Sequence, residues 1–378
     1  MLIVGTLAFI VYSRYSKNDS QNPPIANETD NSTTDVVDNT PNNVNVVDNE
    51  VDNNNNNATT TSPNPIKLTE EQVISPILFF DGQGVVFLTP DGQFYKANFA
   101  EENGKIVFSK KDLVEIEQRK GIVKILWPKE GKDFIVEFQN NGKKTWSLFS
   151  YDVGAYMDLP EKITWLDWMP DGKQIMYLWL DNGKTTLNIS DADTKNWQEI
   201  AQMWENDNAI AVSPDAKNIL FYRTQNNEMN NKLTMVSSDG KLWQDMVREG
   251  YVYGVLWSPD GKKFLFGKKE RSTLKYQLWV YDIFTGEVRN LGFFTTPDKA
   301  VWDPSGQYIY VAVPNTGTAG SSQLTKDTFY KMDLQTFEKK EYPMGSLEVD
   351  GRDLLVSSSN KYLFFKNAHD GALYYFSL

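Results

Sequence analysis

Beyond residue 65 the chain alternates apolar and polar residues in short runs, which is the period of β-strands that bury one face. The stretch Trp257–Phe266, WSPDGKKFLF, shows how the runs are joined. Pro259 sets φ for the second position of a tight turn, Asp260 can bond to nearby backbone amides, and Gly261 tolerates a positive φ. The stretch therefore predicts a strand, a turn and a second strand, and nothing in the pattern has the period of an amphipathic helix.

This turn recurs, and the position of its proline marks seven copies: Phe80, Pro128, Pro170, Pro214, Pro259, Pro304 and Ser358. Successive copies are 42 to 54 residues apart. Such a period is typical of one four-stranded blade of a β-propeller. The sequence therefore predicts an all-β fold, a seven-bladed β-propeller of four-stranded blades.

A second turn, centred on Asp, follows at a roughly fixed distance in the segments that begin at Leu148, Leu187, Leu278 and Phe329. Apolar and polar residues alternate on both sides of it, which predicts the third and outer strands of a blade. The last blade lacks an outer strand, because the chain stops at Gly371–Leu378, GALYYFSL. A closed ring leaves no long unpaired edge. We therefore expect Ile66–Thr69, which precede the first inner strand, to complete the last blade.

The repeat resembles a known family. The W-S-P-D-G-K turn at Trp257, the related turn at Trp168 and the D-x-x-T-G turn at Asp282–Gly286 are similar to the TolB-type β-propeller repeat, a relative of WD-type repeats. The resemblance covers Ile66–Leu378. It implies the fold and no reaction, because blades of this kind are scaffolds that carry varied functions.

The first 65 residues have a different composition. Met1–Tyr12 are continuously apolar but span only about 18 Å as a helix, against about 30 Å of membrane hydrocarbon. We interpret residues 1–17 as a membrane-anchor candidate, with a loose apolar terminus as the alternative. Residues 18–65 are rich in Asn, Asp and Thr and predict a disordered linker. Residues 66–378 form the propeller, which we expect outside the cytoplasm, in a bacterial periplasm or at a cell surface.

Composition excludes several function classes. The chain has no Cys, so disulfides, thiolate nucleophiles and zinc–cysteine clusters are absent. Its formal net charge is −12, and the short GKKER stretch at Gly267–Arg271 is the one basic cluster that stands out. Proteins that bind nucleic acids normally present a basic face. We therefore expect no nucleic-acid partner, and the oligomeric state stays open.

The sequence contains no complete catalytic or metal-binding motif. It has no G-x-S-x-G, and its one His, His369, lies in a turn without a Ser or Cys partner nearby. Asp191–Glu199 begins like a calcium loop, but Lys195 occupies the third ligand position. We expect no catalytic residue, no bound metal and no cofactor. Carboxylates from different blades that meet at the central channel stay an open alternative.

Function is expected where the repeats differ. Three connections stand out: Met203–Asn208, Phe293–Lys299 and Pro314–Lys326. Trp204, Tyr251, Phe293 and Phe294 lie in or beside them, and clustered aromatic side chains suit stacking on a sugar ring or anchoring a peptide. The alternative is that these aromatics fill gaps between blades.

These observations favour a non-enzymatic, membrane-tethered propeller that binds a protein, a peptide or an envelope glycan through its loop-rich face. The alternative is a propeller hydrolase or lyase that uses carboxylates at the channel mouth. A third hypothesis is a structural platform that binds through its outer strands.

Overall fold

A computed structural model describes residues 64–79, 83–140, 142–203, 208–223, 232–248, 250–269 and 275–378. The anchor candidate at residues 1–17 and the predicted linker up to residue 63 lie outside these ranges. Within the ranges, no helix is long and apolar enough to cross a membrane.

The described residues form seven antiparallel sheets of four strands each, which are the predicted blades. Blade 1 contains β2 (Ile74–Phe79), β3 (Gly84–Leu88), β4 (Phe94–Glu102) and β5 (Lys105–Val114). Blade 2 contains β6 (Ile122–Leu126), β7 (Phe134–Asn140), β8 (Lys143–Ser150) and β9 (Ala155–Asp158). Blade 3 contains β10 (Ile163–Trp168), β11 (Gln174–Asp181), β12 (Lys184–Asp191) and β13 (Gln198–Met203). Blade 4 contains β14 (Asn208–Val212), β15 (Asn218–Arg223), β16 (Leu233–Ser237) and β17 (Trp243–Val247).

The remaining three blades follow the same order. Blade 5 contains β18 (Tyr251–Trp257), β19 (Lys263–Lys269), β20 (Gln277–Asp282) and β21 (Val288–Asn290). Blade 6 contains β22 (Ala300–Trp302), β23 (Tyr308–Thr316), β24 (Lys326–Asp333) and β25 (Lys339–Tyr342), preceded by a 3₁₀ turn at Pro297–Lys299. Blade 7 contains β26 (Gly351–Val356), β27 (Tyr362–Asn367), β28 (Leu373–Ser377) and, as its outer strand, β1 (Ile66–Lys67).

The N-terminal strand closes the ring as predicted. Ile66 pairs with Tyr375 and Lys67 with Tyr374, so the first strand of the chain completes the last blade. The hydroxyl of Thr69, 2% exposed, extends the closure by accepting the backbone N–H of Leu373 at 2.9 Å. The prediction of a seven-bladed, four-stranded propeller closed at its N-terminus is confirmed.

A repeated tryptophan bond links successive blades. The indole N–H of a Trp at the end of an inner strand donates to a backbone carbonyl on the inner strand of the preceding blade. The four pairs are Trp127 with Ser75 (2.8 Å), Trp168 with Leu126 (2.9 Å), Trp257 with Ala211 (3.0 Å) and Trp302 with Leu256 (3.1 Å). A buried indole N–H needs such a partner. This bond is the physical reason for the Trp of the W-S-P-D-G turn.

The turn itself is held by its own side chains. The Ser258 hydroxyl donates to Asp260 at 2.7 Å and accepts the backbone N–H of Lys263 at 2.9 Å. Gly261 has a φ of +70°, which favours glycine. Ser213 and Asp215 repeat the arrangement in blade 4, at 2.6 Å. These turns are corners of the scaffold.

The second strand of each blade is buried on both faces, because a neighbouring blade packs against each side of the sheet. In β19, Leu265 packs toward blade 6 while Phe264 and Phe266 pack toward blade 4, and all three are fully buried. Each such side chain contributes about 1.5–3 kcal/mol through burial. The core is therefore a ring of apolar layers between blades.

Candidate active site

The first strands of the blades lie side by side around the ring and form the inner wall of a central channel. Contacts between β2 and β6, between β10 and β14, and between β22 and β26 trace this wall. Connections from outer to inner strands, and from second to third strands, open on one face, which we call the entry face. The end of the channel on this face is the mouth.

The 3₁₀ turn at Pro297–Lys299 lies at the mouth. It contacts β18 of blade 5, β22 of its own blade and β26 of blade 7. Pro297 sits against Gly254, where an added Cβ would lie 3.6 Å from the proline ring. An added Cβ would make only ordinary van der Waals contact here, so glycine is favoured by its φ of +63° and not by space.

Bulges near the start of the inner strands set the direction of the mouth side chains. The register of β18 shifts between Tyr253 and Val255, and that of β26 shifts between Arg352 and Leu355, where Asp353 has a φ of +48°. Bulges bend a strand and re-aim its side chains, and they are common beside active sites. Here they place Tyr253 and Arg352 at the mouth, where each is partly exposed.

Lys299 anchors the 3₁₀ turn from inside the protein. Its side chain is fully buried, and its Nζ lies 2.5 Å from Oδ2 of Asp327, 2.6 Å from Oδ1 of Asp350 and 3.0 Å from Oγ1 of Thr325. A buried ammonium group is stable only when it is paired and hydrogen-bonded. Two carboxylates and a hydroxyl provide these partners.

Asp350 carries the network from Lys299 to Arg352. The guanidinium of Arg352 donates from Nε to Oδ1 of Asp350 at 2.8 Å and from Nη2 to Oδ2 at 3.2 Å. Burial alone raises the pKa of Asp350, but the bonds from Arg352 and Lys299 outweigh it and bring this pKa to about 2. Burial lowers the pKa of Arg352, and the bond to Asp350 more than reverses that effect. Both groups are therefore charged at neutral pH.

The network reaches the mouth at Asp298. Nη1 of Arg352 donates to Oδ2 of Asp298 at 3.0 Å, and the two side chains are 25% and 39% exposed. Lys299, Asp327 and Asp350 are enclosed, so Asp298 and Arg352 are the members that face solvent.

Two of the three variable connections singled out from the sequence meet here. Phe293–Lys299 provides the 3₁₀ turn, and Pro314–Lys326 provides Thr325, whose hydroxyl donates to Asp327 at 2.7 Å. Gly320 of the second connection packs on Tyr276 and Thr296. The third connection, Met203–Asn208, lies mostly outside the described residues.

Asp167 on β10 is a further carboxyl of the inner wall. The positions before the corner Trp, or its equivalent, in other blades hold apolar residues: Leu126, Ala211, Leu256, Val301 and Leu355. Asp167 accepts the backbone N–H of Trp168 at 2.9 Å and that of Val212, on the next inner strand, at 2.8 Å. Burial nevertheless raises its pKa to about 6, with the exposed Lys124 acting weakly in the opposite direction. A carboxyl of this kind changes protonation close to neutral pH.

Two tyrosines connect Asp167 electrostatically with the mouth. Burial raises the pKa of Tyr222, and the charges of Asp167 and Asp298 add to the effect. Burial raises the pKa of Tyr253 to about 12, with Asp298 adding to it and Arg352 opposing it. Both hydroxyls therefore keep their protons at neutral pH. We call Asp167, Tyr222, Tyr253, Asp298 and Arg352 the channel cluster.

The structure describes three of the four aromatic residues predicted as ligand contacts. Trp204 lies outside the described residues. Tyr251 begins β18 at the entry face, with Nζ of Lys269 5.1 Å from its ring centre. Phe294 is 45% exposed, whereas Phe293 is 4% exposed and packs between blades 5 and 6, with its ring 5.4 Å from that of Tyr330. The position of Phe293 matches the gap-filling alternative, and a ligand-binding role of the other three stays a prediction.

No sequence motif marks the channel cluster, because each member lies on a different strand or connection. One signal was available for Asp167, the single charged residue at a position that is apolar in the other copies. His369 is exposed, and its Nε2 lies 2.9 Å from the carbonyl oxygen of Thr325, at the edge of the Lys299 network. No group of three or more His, Asp or Glu side chains that could hold a metal ion occurs in the part of the chain that the structure describes.

Comparison with known proteins gives likeness in structure only. No protein-family model and no curated protein matches the sequence. Among solved structures, oligogalacturonate lyase from Vibrio parahaemolyticus is 12% identical with a TM-score of 0.56, over 83% of this chain and 91% of the lyase. Hydrazine synthase of Kuenenia stuttgartiensis is 12% identical with a TM-score of 0.54, over 86% and 98%. TolB from Acinetobacter baumannii is 17% identical with a TM-score of 0.44, over 78% and 79%.

The protein is a seven-bladed β-propeller whose repeats resemble those of the TolB type. The repeat recognised in the sequence corresponds blade by blade to the observed sheets. The expected function needs correction, because the lyase and the synthase are enzymes by name and are built on a ring of this architecture. The prediction of a non-enzymatic binding scaffold was wrong in treating the lack of a catalytic motif as evidence against catalysis. A channel site is assembled from several blades and leaves no contiguous motif.

Proposed function

We propose that the protein is an enzyme that cleaves glycosidic bonds in the central channel, a hydrolase or lyase in which Asp167 transfers the proton. The single observation that carries the proposal is the Asp167 carboxyl in the channel wall, whose pKa of about 6 suits proton transfer near neutral pH. Its position is occupied by apolar residues in other blades, so the repeat architecture does not require a carboxyl there.

A second carboxyl in a different environment supports the assignment. Asp298 is paired with the Arg352 guanidinium at 3.0 Å and is partly exposed, whereas the pKa of Asp167 is raised by burial. In glycoside cleavage, two carboxyls in different surroundings usually share the work: one transfers the proton and the other stabilises the developing charge. Both carboxyls add to the raised pKa of Tyr222, so this hydroxyl lies within electrostatic reach of each.

The tyrosines complete the chemistry. Tyr253 is partly exposed at the mouth and its ring lies 5.3 Å from that of the buried Tyr276, so Tyr253 offers an aromatic face of the kind that stacks on sugars. Tyr222 keeps its proton and can hydrogen-bond a sugar hydroxyl or a leaving oxygen. The arrangement thus combines a proton-transfer group, a charged carboxylate and a surface for a sugar ring.

Two reaction routes fit these groups. In hydrolysis, protonated Asp167 gives its proton to the glycosidic oxygen as the C–O bond breaks. Water then adds to the sugar carbon, whose developing positive charge Asp298 stabilises, and the proton that the water loses returns to Asp167. In elimination, ionised Asp167 removes a proton from the sugar carbon next to a carboxylate, and the leaving oxygen takes a proton from Tyr222. The name of the lyase with a similar fold supports placing glycan cleavage on such a ring. The proposal retains the extracytoplasmic location, where envelope glycans are available as substrates.

The test is to incubate the full chain with defined neutral and acidic oligosaccharides and to weigh the products by mass spectrometry. Hydrolysis adds one water to the summed product masses, and elimination adds none. We expect cleavage by the wild type and a roughly 100-fold or larger loss in Asp167→Asn and Asp298→Asn. Asp152→Asn, at an exposed turn on the face opposite the mouth, is the matched control and should retain activity. Equal activity in all four proteins, or in none of them, would contradict the proposal.

A further inference from the structure

The Lys299 network satisfies nearly all of its own hydrogen-bonding capacity. Oδ2 of Asp327 accepts bonds from Lys299 and from the backbone N–H of Gly351 at 2.8 Å, while Oδ1 accepts the Thr325 hydroxyl. Oδ2 of Asp350 also accepts the backbone N–H of Thr325, at 3.2 Å. A fully satisfied buried network is rigid and fixes one arrangement of its members.

The same network controls Asp298 by two routes. Lys299 follows Asp298 directly in the 3₁₀ turn, so anchoring the ammonium group fixes the backbone that carries the carboxyl. Lys299 also bonds Oδ1 of Asp350, the oxygen that accepts Nε of Arg352, and Arg352 in turn bonds Asp298. Removal of the buried cation therefore loosens both the main chain and the guanidinium beside Asp298.

We propose that Lys299 is a positioning residue that holds Arg352 and Asp298 in their arrangement at the channel mouth. The inference rests on the proposed role of Asp298 in glycan cleavage, but the arrangement itself is measurable without a substrate. Lys299 has no route to the substrate, since its side chain is fully buried and enclosed by Asp327, Asp350 and Thr325.

The charged groups around the network are few and lie at its rim. Lys326 and Glu348 form an exposed pair, and His369 reaches the carbonyl oxygen of Thr325. On the other side lie Asp298 and Tyr253. Lys299 is the one cation that these contacts place between Asp327 and Asp350, so its loss leaves Arg352 to balance Asp350 alone.

The experiment compares the full-length wild type with Lys299→Met/Asp327→Asn. Changing both partners removes the buried ion pair without leaving a buried charge unpaired, so the variant should fold. Thr325→Val is a milder second variant that removes a hydroxyl bonded to both charges. Lys144→Met/Glu137→Gln, which removes a partly buried pair of blade 2 at 3.0 Å, is the matched control.

The first readout is the coupling between Arg352 and Asp298, measured by a double-mutant cycle of urea unfolding in each background. We expect the coupling to be lost in Lys299→Met/Asp327→Asn, reduced in Thr325→Val and unchanged in the control. The second readout is kinetic: kcat should fall roughly 10- to 100-fold with little change in KM, because a displaced group affects the transition state more than binding.

The two proposals fail in different ways. Loss of the coupling in a protein that shows no glycan cleavage would uphold the positioning role and overturn the proposed function. Cleavage by the wild type together with an unchanged coupling in both network variants would overturn the positioning role alone. A fall in kcat no larger than that of the control would also overturn it.

Discussion

Nη1 of Arg352 lies 3.0 Å from Oδ2 of Asp298 and joins the inner strand of blade 7 to the turn that opens blade 6. The two residues are 54 positions apart in sequence and meet only because the ring brings successive blades together. Asp350 holds the same guanidinium through two bonds from inside the protein. The pair is therefore an exposed end of a buried charge network, placed where a substrate can reach it.

Asp298→Asn tests whether this exposed end serves catalysis or stability. A partly exposed ion pair contributes only about 0–1 kcal/mol, so the free energy of unfolding should change by no more than that. Glycan cleavage should fall roughly 100-fold or more, because an amide cannot supply the charge. Chemical unfolding and steady-state kinetics on the same preparation provide the measurement. A large loss of stability with full activity would assign the pair a structural role.

Asp167→Leu gives the position the residue type that it has in blades 2 and 5, and its effect on stability should depend on pH. The pKa of Asp167 is raised to about 6 in the folded protein, above about 3.9 in an unfolded chain. The folded state therefore binds more protons between these values, and stability falls as pH rises through the window.

As pH rises, the wild type should therefore lose stability relative to Asp167→Leu, so the free energy of unfolding of the variant minus that of the wild type should increase. We expect an increase of about 2–3 kcal/mol from roughly pH 4 to roughly pH 7.5. Urea unfolding at several pH values measures it. A difference that stays flat would show that Asp167 acts mainly by accepting the N–H groups of Trp168 and Val212.

Trp302→Phe tests the bond that links blades 5 and 6. The indole N–H donates to the carbonyl oxygen of Leu256, and the side chain is buried. Phenylalanine keeps most of the apolar contact, but it removes the donor to this carbonyl and creates a small cavity. The free energy of unfolding should therefore fall by about 1–3 kcal/mol. Trp197→Phe, at a largely exposed Trp, should change it by less than about 0.5 kcal/mol. Equal effects of the two substitutions would remove the argument for an inter-blade bond.

Thr69→Ala tests ring closure. The hydroxyl of Thr69 accepts the N–H of Leu373 and donates to the carbonyl oxygen of Glu71 at 2.9 Å, in a buried position. Its loss should lower the free energy of unfolding by about 1–2 kcal/mol, and Thr69→Ser should retain most of it. Denaturant unfolding of both variants measures the effect. An unchanged Thr69→Ala protein would leave closure to the backbone bonds of β1 and of the residues that follow it.

The fold was predictable because its rules are local. The corner around Pro259 and the alternation on either side appear within a dozen residues, and repetition along the chain makes the blade count readable. The closing strand at Ile66 followed from the missing outer strand after Leu378. The buried second strands, such as that of Phe264 and Phe266, keep an apolar run because both faces of the sheet are covered.

The site was not predictable in the same way, because its members come from separate blades. No spacing in the sequence relates Asp167 to Asp298, and the buried Lys299 looks like any surface lysine until Asp327 and Asp350 are seen beside it. The sequence also could not show which aromatic residues of the loops are exposed, because exposure depends on how neighbouring blades pack. Phe293 and Phe294 are adjacent, yet one is buried between blades and the other is exposed.

The most direct test of the account is the pH dependence of kcat/KM for glycan cleavage by the wild type and by Asp167→Asn. We predict an inflection near pH 6 in the wild type, the pKa of Asp167, and its absence in the variant's residual activity. A kcat/KM that falls as pH rises through this value would identify Asp167 as an acid and the reaction as hydrolysis. A kcat/KM that rises through the same value would identify Asp167 as a base and the reaction as elimination. The same inflection in Asp167→Asn would contradict the assignment of proton transfer to this residue.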